Sequence, residues 1–241
     1  MRRFHRLIPL LGLLLAAPAL LPAGAGAPVY AAPDASSILR ALDDDGGWSY
    51  QSTRDGIKVY SKEIPAIGLT AFKGVGLFEV DGDRLFTLIS DLPAHKQVTG
   101  TLHESVAIST RGGVTDYYQV MKSPGPLLSA RYWFNRSTNT RDINGQVGHH
   151  RRSWSSLDET LYPEQRKEVA ERYPDAVAIT LTHGSWEVVP ESPGRCTLTY
   201  RAVSHPGGSV PTSVAAMASS QNLPDNMMAF VRAVGGKVVS P

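Results

Sequence analysis

From residue 101 to residue 204 the hydrophobic period is two through most of the chain, and a single long helical run follows. That order limits the possible folds more than any one motif does. Alternating runs at 101–109, 114–122, 129–139 and 146–157 are separated by turn residues such as Arg111-Gly112-Gly113 and Asn144-Gly145. Strands joined by short turns pair antiparallel, so these runs predict a meander. An interruption from Tyr162 to Tyr173 is charged and helix-favouring, and reads as a surface excursion. Strands resume at 176–190 and 195–204. The last run, Pro211 to Val234, has helical spacing, with Val214, Met217, Met227, Phe230, Val231 and Val234 on one side. Leu223-Pro224 predicts a kink or restart within it, because proline removes a helix hydrogen bond.

The first half adds helices and a hairpin. Asp34 is an N-cap for a helix ending at Leu42, with Ile38, Leu39 and Leu42 as its stripe and Gly46-Gly47 as its stop. Trp48–Tyr50 and Ile57–Tyr60 read as a hairpin around Arg54-Asp55-Gly56. Leu69–Val80 is a longer strand in which Gly74 and Gly76 are expected to permit curvature. Asp81-Gly82-Asp83 opens a helix carrying Leu85, Phe86, Leu88 and Ile89, and Leu92-Pro93 ends it. There is no internal repeat and no dividing linker. The pattern predicts one α+β domain.

The first thirty-one residues differ in kind. Arg2, Arg3 and Arg6 precede a leucine-rich run from Leu7 to Leu21, and small residues follow at Ala23-Gly24-Ala25 and Val29-Tyr30-Ala31. This is the layout of a secretory signal peptide with cleavage expected after Ala31. As a membrane anchor the apolar run is short of the roughly 20 residues a bilayer needs. The mature chain is expected to begin at Ala32 and to be periplasmic. Taking the leader's three arginines from the 24 basic residues leaves 21, against 22 acidic ones. The clustered positive excess of a nucleic-acid binder is absent, so no nucleic-acid partner is expected.

Catalytic signatures are missing as well. The sequence has no Gly-x-Ser-x-Gly elbow, His-Glu-x-x-His motif, phosphate loop or dinucleotide fingerprint. Cys196 is the one cysteine, so no internal disulfide can form, and it reads as a small buried hydrophobe on a strand. His149-His150-Arg151-Arg152 reads as a solvated stretch or edge strand, or as a contact for anionic lipid head groups. Adjacent strand residues face opposite ways, so that run does not form a metal site. Alternation puts His183, Ser185 and Glu187 on one face, with Trp186 and Val188 on the other. His183 is read as a structural histidine or as one polar group of a pocket. Arg131 precedes Tyr132-Trp133-Phe134 in a run expected to be buried. A buried arginine needs an acid or a polar ligand group. Asp116 on the preceding strand is the candidate acid, and a ligand head group is the alternative.

Several of these segments, in this order, resemble the START family, the lipid-transfer domains related to steroidogenic acute regulatory protein. They are Trp48 with Asp55–Tyr60, Pro124–Arg131, His183-Gly184-Ser185-Trp186 with Pro190, and the Gly208–Pro211 turn into the last helix. The resemblance spans residues 48–234. It implies a helix-grip fold, a curved antiparallel sheet around the C-terminal helix with an apolar cavity between them, over residues 32–241. It implies binding and transfer of a lipid or other apolar small molecule by a monomer in transient contact with a membrane surface. The family's enzymatic cousins of aromatase/cyclase type, and a ligand-sensing module, are the alternatives. No catalytic residue, metal or cofactor is implied. The residues expected around the ligand are Arg131, Trp133, Asp116, Tyr118, His183, Ser185, Tyr200, Met217, Met227 and Phe230. The loop around Ser123–Ser129 and the last helix are implied as the gate.

Overall fold

The structure, a computed structural model, describes residues 34–123, 128–208, 210 and 212–239, with side chains in the last helix from residue 220 onward. The expected leader, residues 124–127 of the expected gate, and the side chains of Val214 and Met217 therefore lie outside the described residues.

Helix α1 (Ala35–Asp43) begins where Asp34 accepts a hydrogen bond from the Ser37 amide at 2.7 Å. Strands β1 (Ser49–Arg54) and β2 (Ile57–Ile64) join at Asp55 and Gly56. Both turn residues take positive φ, 50° and 72°, as a tight hairpin demands. Strand β3 (Leu69–Glu79) leads to α2 (Gly82–Ser90), capped by Asp81. After the expected stop, a 3-10 turn at Leu92–Ala94 runs into a short further helix, α3 (His95–Thr99). Then come β4 (Leu102–Arg111), β5 (Val114–Met121), β6 (Arg131–Thr140), β7 (His150–Ser156), α4 (Pro163–Arg172) and β8 (Val177–Ala178). Strands β9 (Thr182–Ser192) and β10 (Arg195–Ser204), α5 (Thr212–Ala233) and β11 (Lys237–Val238) complete the chain.

The strands form one open antiparallel sheet in the order β1-β2-β3-β10-β9-β7-β6-β5-β4. β8 adds a parallel pair to β6, and β11 pairs with β3. Helices cover both faces. On the inner face, α5 and α2 bury Leu223, Met227, Phe230, Val231, Leu85, Phe86 and Ile89 against Phe72, Phe78, Trp186 and Leu198. On the outer face α1 covers Leu69, Ala71 and Val203. Also on the outer face, Val169 of α4 and the flanking Tyr162 and Tyr173 cover Tyr118, Val120 and Phe134.

Two expectations change here, and a third gains detail. Residues 163–172 form the helix-favouring surface excursion expected, with only Val169 buried, and it is fixed to the sheet. The Tyr173 hydroxyl donates to Glu104 at 2.6 Å and the Tyr162 hydroxyl donates to Asp116 at 2.6 Å, so the flanking tyrosines seat α4 on the sheet. The basic run is not at an edge, since β7 lies between β6 and β9, and only His149 and Arg151 of its four residues reach solvent. His150 and Arg152 are 1% and 2% exposed. Finally, α5 continues through Pro224, with Leu223 and Met227 buried on either side of it.

Candidate functional site

Directly paired residues of neighbouring antiparallel strands share a face. A Cβ on Gly74 would lie 2.2 Å from Leu223 and 2.5 Å from Met227, so Gly74 looks toward α5. Gly74 pairs with Tyr200, Tyr200 with Trp186, and Trp186 with Arg152. Trp154 pairs with Ser137, and Ser156 with Asn135. Asn135 pairs with Tyr117, and Trp133 with Gln119. This chain of pairs defines the inner face across the sheet.

That face has two halves. On β9 and β10, with α5 above, it is aromatic. The Trp186 and Tyr200 rings lie 4.3 Å apart, Trp154 and Tyr200 5.7 Å, and Trp186 and Phe230 5.3 Å. Ring packing of this kind forms a large, stiff apolar wall. On β5, β6 and β7 the face is polar. Arg152 donates to Ser137 Oγ at 2.7 Å, Asn139 Oδ1 at 3.2 Å and Ser90 O at 3.3 Å. Its guanidinium lies 5.6 Å from the Tyr117 ring centre. Asn135 donates to the Tyr117 hydroxyl at 3.2 Å, while its own Oδ1 is buried with no partner among the described residues. Burial pushes the Tyr117 hydroxyl pKa up.

A relay of hydrogen bonds links the polar half to α3. The Trp133 indole N–H donates to Gln119 Oε1 at 3.1 Å, which orients the amide. Gln119 Nε2 then faces Ser105 Oγ at 2.8 Å and His95 Nδ1 at 3.2 Å. His95 Nε2 meets Ile89 O at 2.9 Å. Burial against Phe230, 4.9 Å away, pushes the His95 pKa down to about 4.

The residues expected around the ligand divide between the two faces. Arg131, Trp133 and Tyr200 lie on the inner face, with Met227 and Phe230 packed into the core between sheet and α5. Asp116, Tyr118, His183 and Ser185 lie on the outer face. Their places follow from the register, which sets Tyr117 and Gln119 inward and therefore Asp116 and Tyr118 outward.

Of the two alternatives for Arg131, the pair with Asp116 does not form. Asp116 pairs across the ladder with Arg136, which holds it by two bonds of 2.6 and 2.7 Å and lowers its pKa. Arg131 stands opposite Met121 and donates to the carbonyls of Ser129 (2.6 Å), Ala130 (3.4 Å) and Pro206 (2.9 Å). It fastens the entry of β6 to the turn ahead of α5. Tyr118 donates to Glu104 at 3.0 Å beneath α4. His183 Nδ1 and Ser185 Oγ are buried without a partner among the described residues.

Tyr117, Asn135, Gln119 and His95 were not anticipated as site residues, and Arg152 only as part of a basic run read as solvated, at an edge, or in contact with anionic head groups. Arg152 and His95 lie in runs that look exposed in sequence. Tyr117 and Gln119 would have followed from the opposite choice of face for β5.

No family model matches the chain. An uncharacterized protein of Pseudomonas aeruginosa is 25% identical over 175 residues, 73% of this chain and 79% of its own. Human STARD10 superposes with a TM-score of 0.68 at 19% identity, over 84% of this chain and 80% of its own. The STAR-related lipid transfer protein of Xanthomonas axonopodis gives 0.61 at 22% identity, over 78% and 96%. Human StAR-related lipid transfer protein 5 gives 0.64 at 16%, over 83% and 89%. The chain has the START fold.

Proposed function

We propose that the protein binds a lipid or similar apolar molecule between the sheet and α5 and carries it without converting it. The observation that bears the proposal is the division of the inner face. An aromatic wall of Trp154, Trp186, Tyr200 and Phe230 meets a polar wall of Arg152, Tyr117 and Asn135. A molecule with an apolar body and one polar end matches both. Each buried methylene of such a ligand gains roughly 0.8 kcal/mol, which suffices for binding without chemistry. Solved proteins with this fold that are lipid transfer proteins by name support the same reading. The direct test is displacement of a bound fluorescent fatty acid or sterol by unlabelled lipids, with the recovered ligand checked for change. Saturable binding with the ligand returned intact is expected. Conversion of the ligand would overturn the carrier reading.

The site of action in this proposal is the periplasm. Its support is the arginine-led, leucine-rich start and the small residues up to Ala31. Intact-mass measurement of the protein from a periplasmic extract is expected to show a chain starting at Ala32. A retained leader would refute export with cleavage.

A further inference from the structure

We infer that the ligand's polar end carries one negative charge, a carboxylate above all, and that Arg152 receives it; this rests on the lipid-binding reading above and narrows it. Arg152 is 2% exposed and faces the α5 side of the sheet, in register with Trp186. Its hydrogen-bond partners Ser137, Asn139 and the Ser90 carbonyl are all neutral, and so is the Tyr117 ring beneath it. Among the described residues no carboxylate lies within 4 Å of it, whereas two other arginines of the sheet have one. Arg136 pairs with Asp116 at 2.6 Å and Arg201 with Glu187 at 2.8 Å.

Arginine does not shed its proton in proteins. A buried cation without a counter-charge is costly, so this interior favours a guest that brings the missing charge. Arg131, the other inner-face arginine, also has no carboxylate among the described residues, but it sits apart at the sheet's end, opposite Met121 and bonded to three main-chain carbonyls.

The neighbouring histidine sets the charge at one. Trp133 holds the Gln119 amide with its oxygen toward the indole, so the amide N–H points to His95 Nδ1. A ring nitrogen that accepts carries no proton. The other, Nε2, meets the Ile89 carbonyl and must donate. His95 is therefore the neutral tautomer, and Arg152 is left as the cation of the polar wall. A carboxylate balances it; a dianionic phosphate would leave an excess buried negative charge.

The experiment measures displacement of Nile red by a sixteen-carbon series with one tail and four heads: carboxylate, alcohol, phosphate monoester and phosphocholine. The carboxylate is expected to bind about 10- to 100-fold more tightly than the alcohol, the range for a hydrogen bond to a charged group. The phosphate and phosphocholine are expected to be weaker than the carboxylate. Arg152→Gln should bring the carboxylate down to the alcohol's affinity, and Arg152→Lys should keep part of the preference. Equal binding of carboxylate and alcohol by the unaltered protein would overturn the inference while leaving the lipid-carrier reading intact. A preference retained in Arg152→Gln, or tightest binding of the phosphate, would also overturn it. If no member of the series binds, the inference falls, and if a sterol and a two-tailed phospholipid also fail to bind, the carrier reading falls with it. Should Arg152→Gln fail to fold, the head-group series on the unaltered protein decides alone.

Discussion

His95 illustrates how a single residue couples the site to stability. Its folded pKa is pushed down to about 4 by burial. Between the ordinary 6.5 and that value, the unfolded chain takes up a proton that the folded chain refuses. This contribution is therefore fully present above pH 6.5 and is lost as pH falls toward 4. His183, also lowered by burial, acts with the same sign. We expect the melting temperature to drop between pH 7 and pH 4.5. His95→Gln should flatten that drop by removing up to about 3 kcal/mol of the pH-dependent loss of stability; an unchanged pH profile in the variant would contradict the assignment. Asp116 makes the contrasting case. Asp116→Ala loses two bonds from Arg136 and one from Tyr162. It should cost about 1–3 kcal/mol in denaturant titration and leave ligand affinity unchanged, because Asp116 faces away from α5. A selective loss of binding would return Asp116 to the site. Asp116 lies on a strand whose alternation is plain in the sequence, whereas His95 opens the five-residue α3. Alternation separates Asp116 and Tyr118 from Tyr117 and Gln119 but does not say which pair turns inward, and an error of one exchanges them. Arg152 was hidden differently, as a charge among four basic residues, and only the position of β7 inside the sheet reveals its burial.

At the scale of elements, the seating of α5 depends on one glycine. Gly74 was expected to serve curvature. It also leaves room for Leu223 and Met227 to approach β3 within the space a methyl would occupy. Gly74→Ala forces the helix or the strand to move, and overpacking of this kind costs about 1–3 kcal/mol. Chemical denaturation should show that loss. A fully stable variant would mean that α5 does not rest on β3 as described. Strand boundaries were legible because their turns carry Asp-Gly, Gly-Gly and Asn-Gly signals, and β10 spans the predicted 195–204. Two elements were not. α3 is five residues long and too short to show a stripe. α4 buries only Val169 from within the helix, and its hold on the sheet comes from tyrosines at its two ends.

For the whole molecule, the order of hairpin, helix, meander and final helix predicted one α+β domain with an antiparallel meander; the START resemblance implied the curved sheet gripping the last helix, and the structure has that START fold. The sequence did not reveal the second layer on the outer face. α1 and α4 bury it, so the inner face remains the surface on which α5 closes. The central claim, that this interior carries a lipid, is tested most directly by native mass spectrometry of the protein purified from its own host, followed by organic extraction. The account predicts a bound species of lipid mass that dissociates intact, leaves the protein's mass unchanged and is recovered in the extract as an acidic lipid. A protein that remains empty, and stays empty after incubation with lipid vesicles, would contradict it.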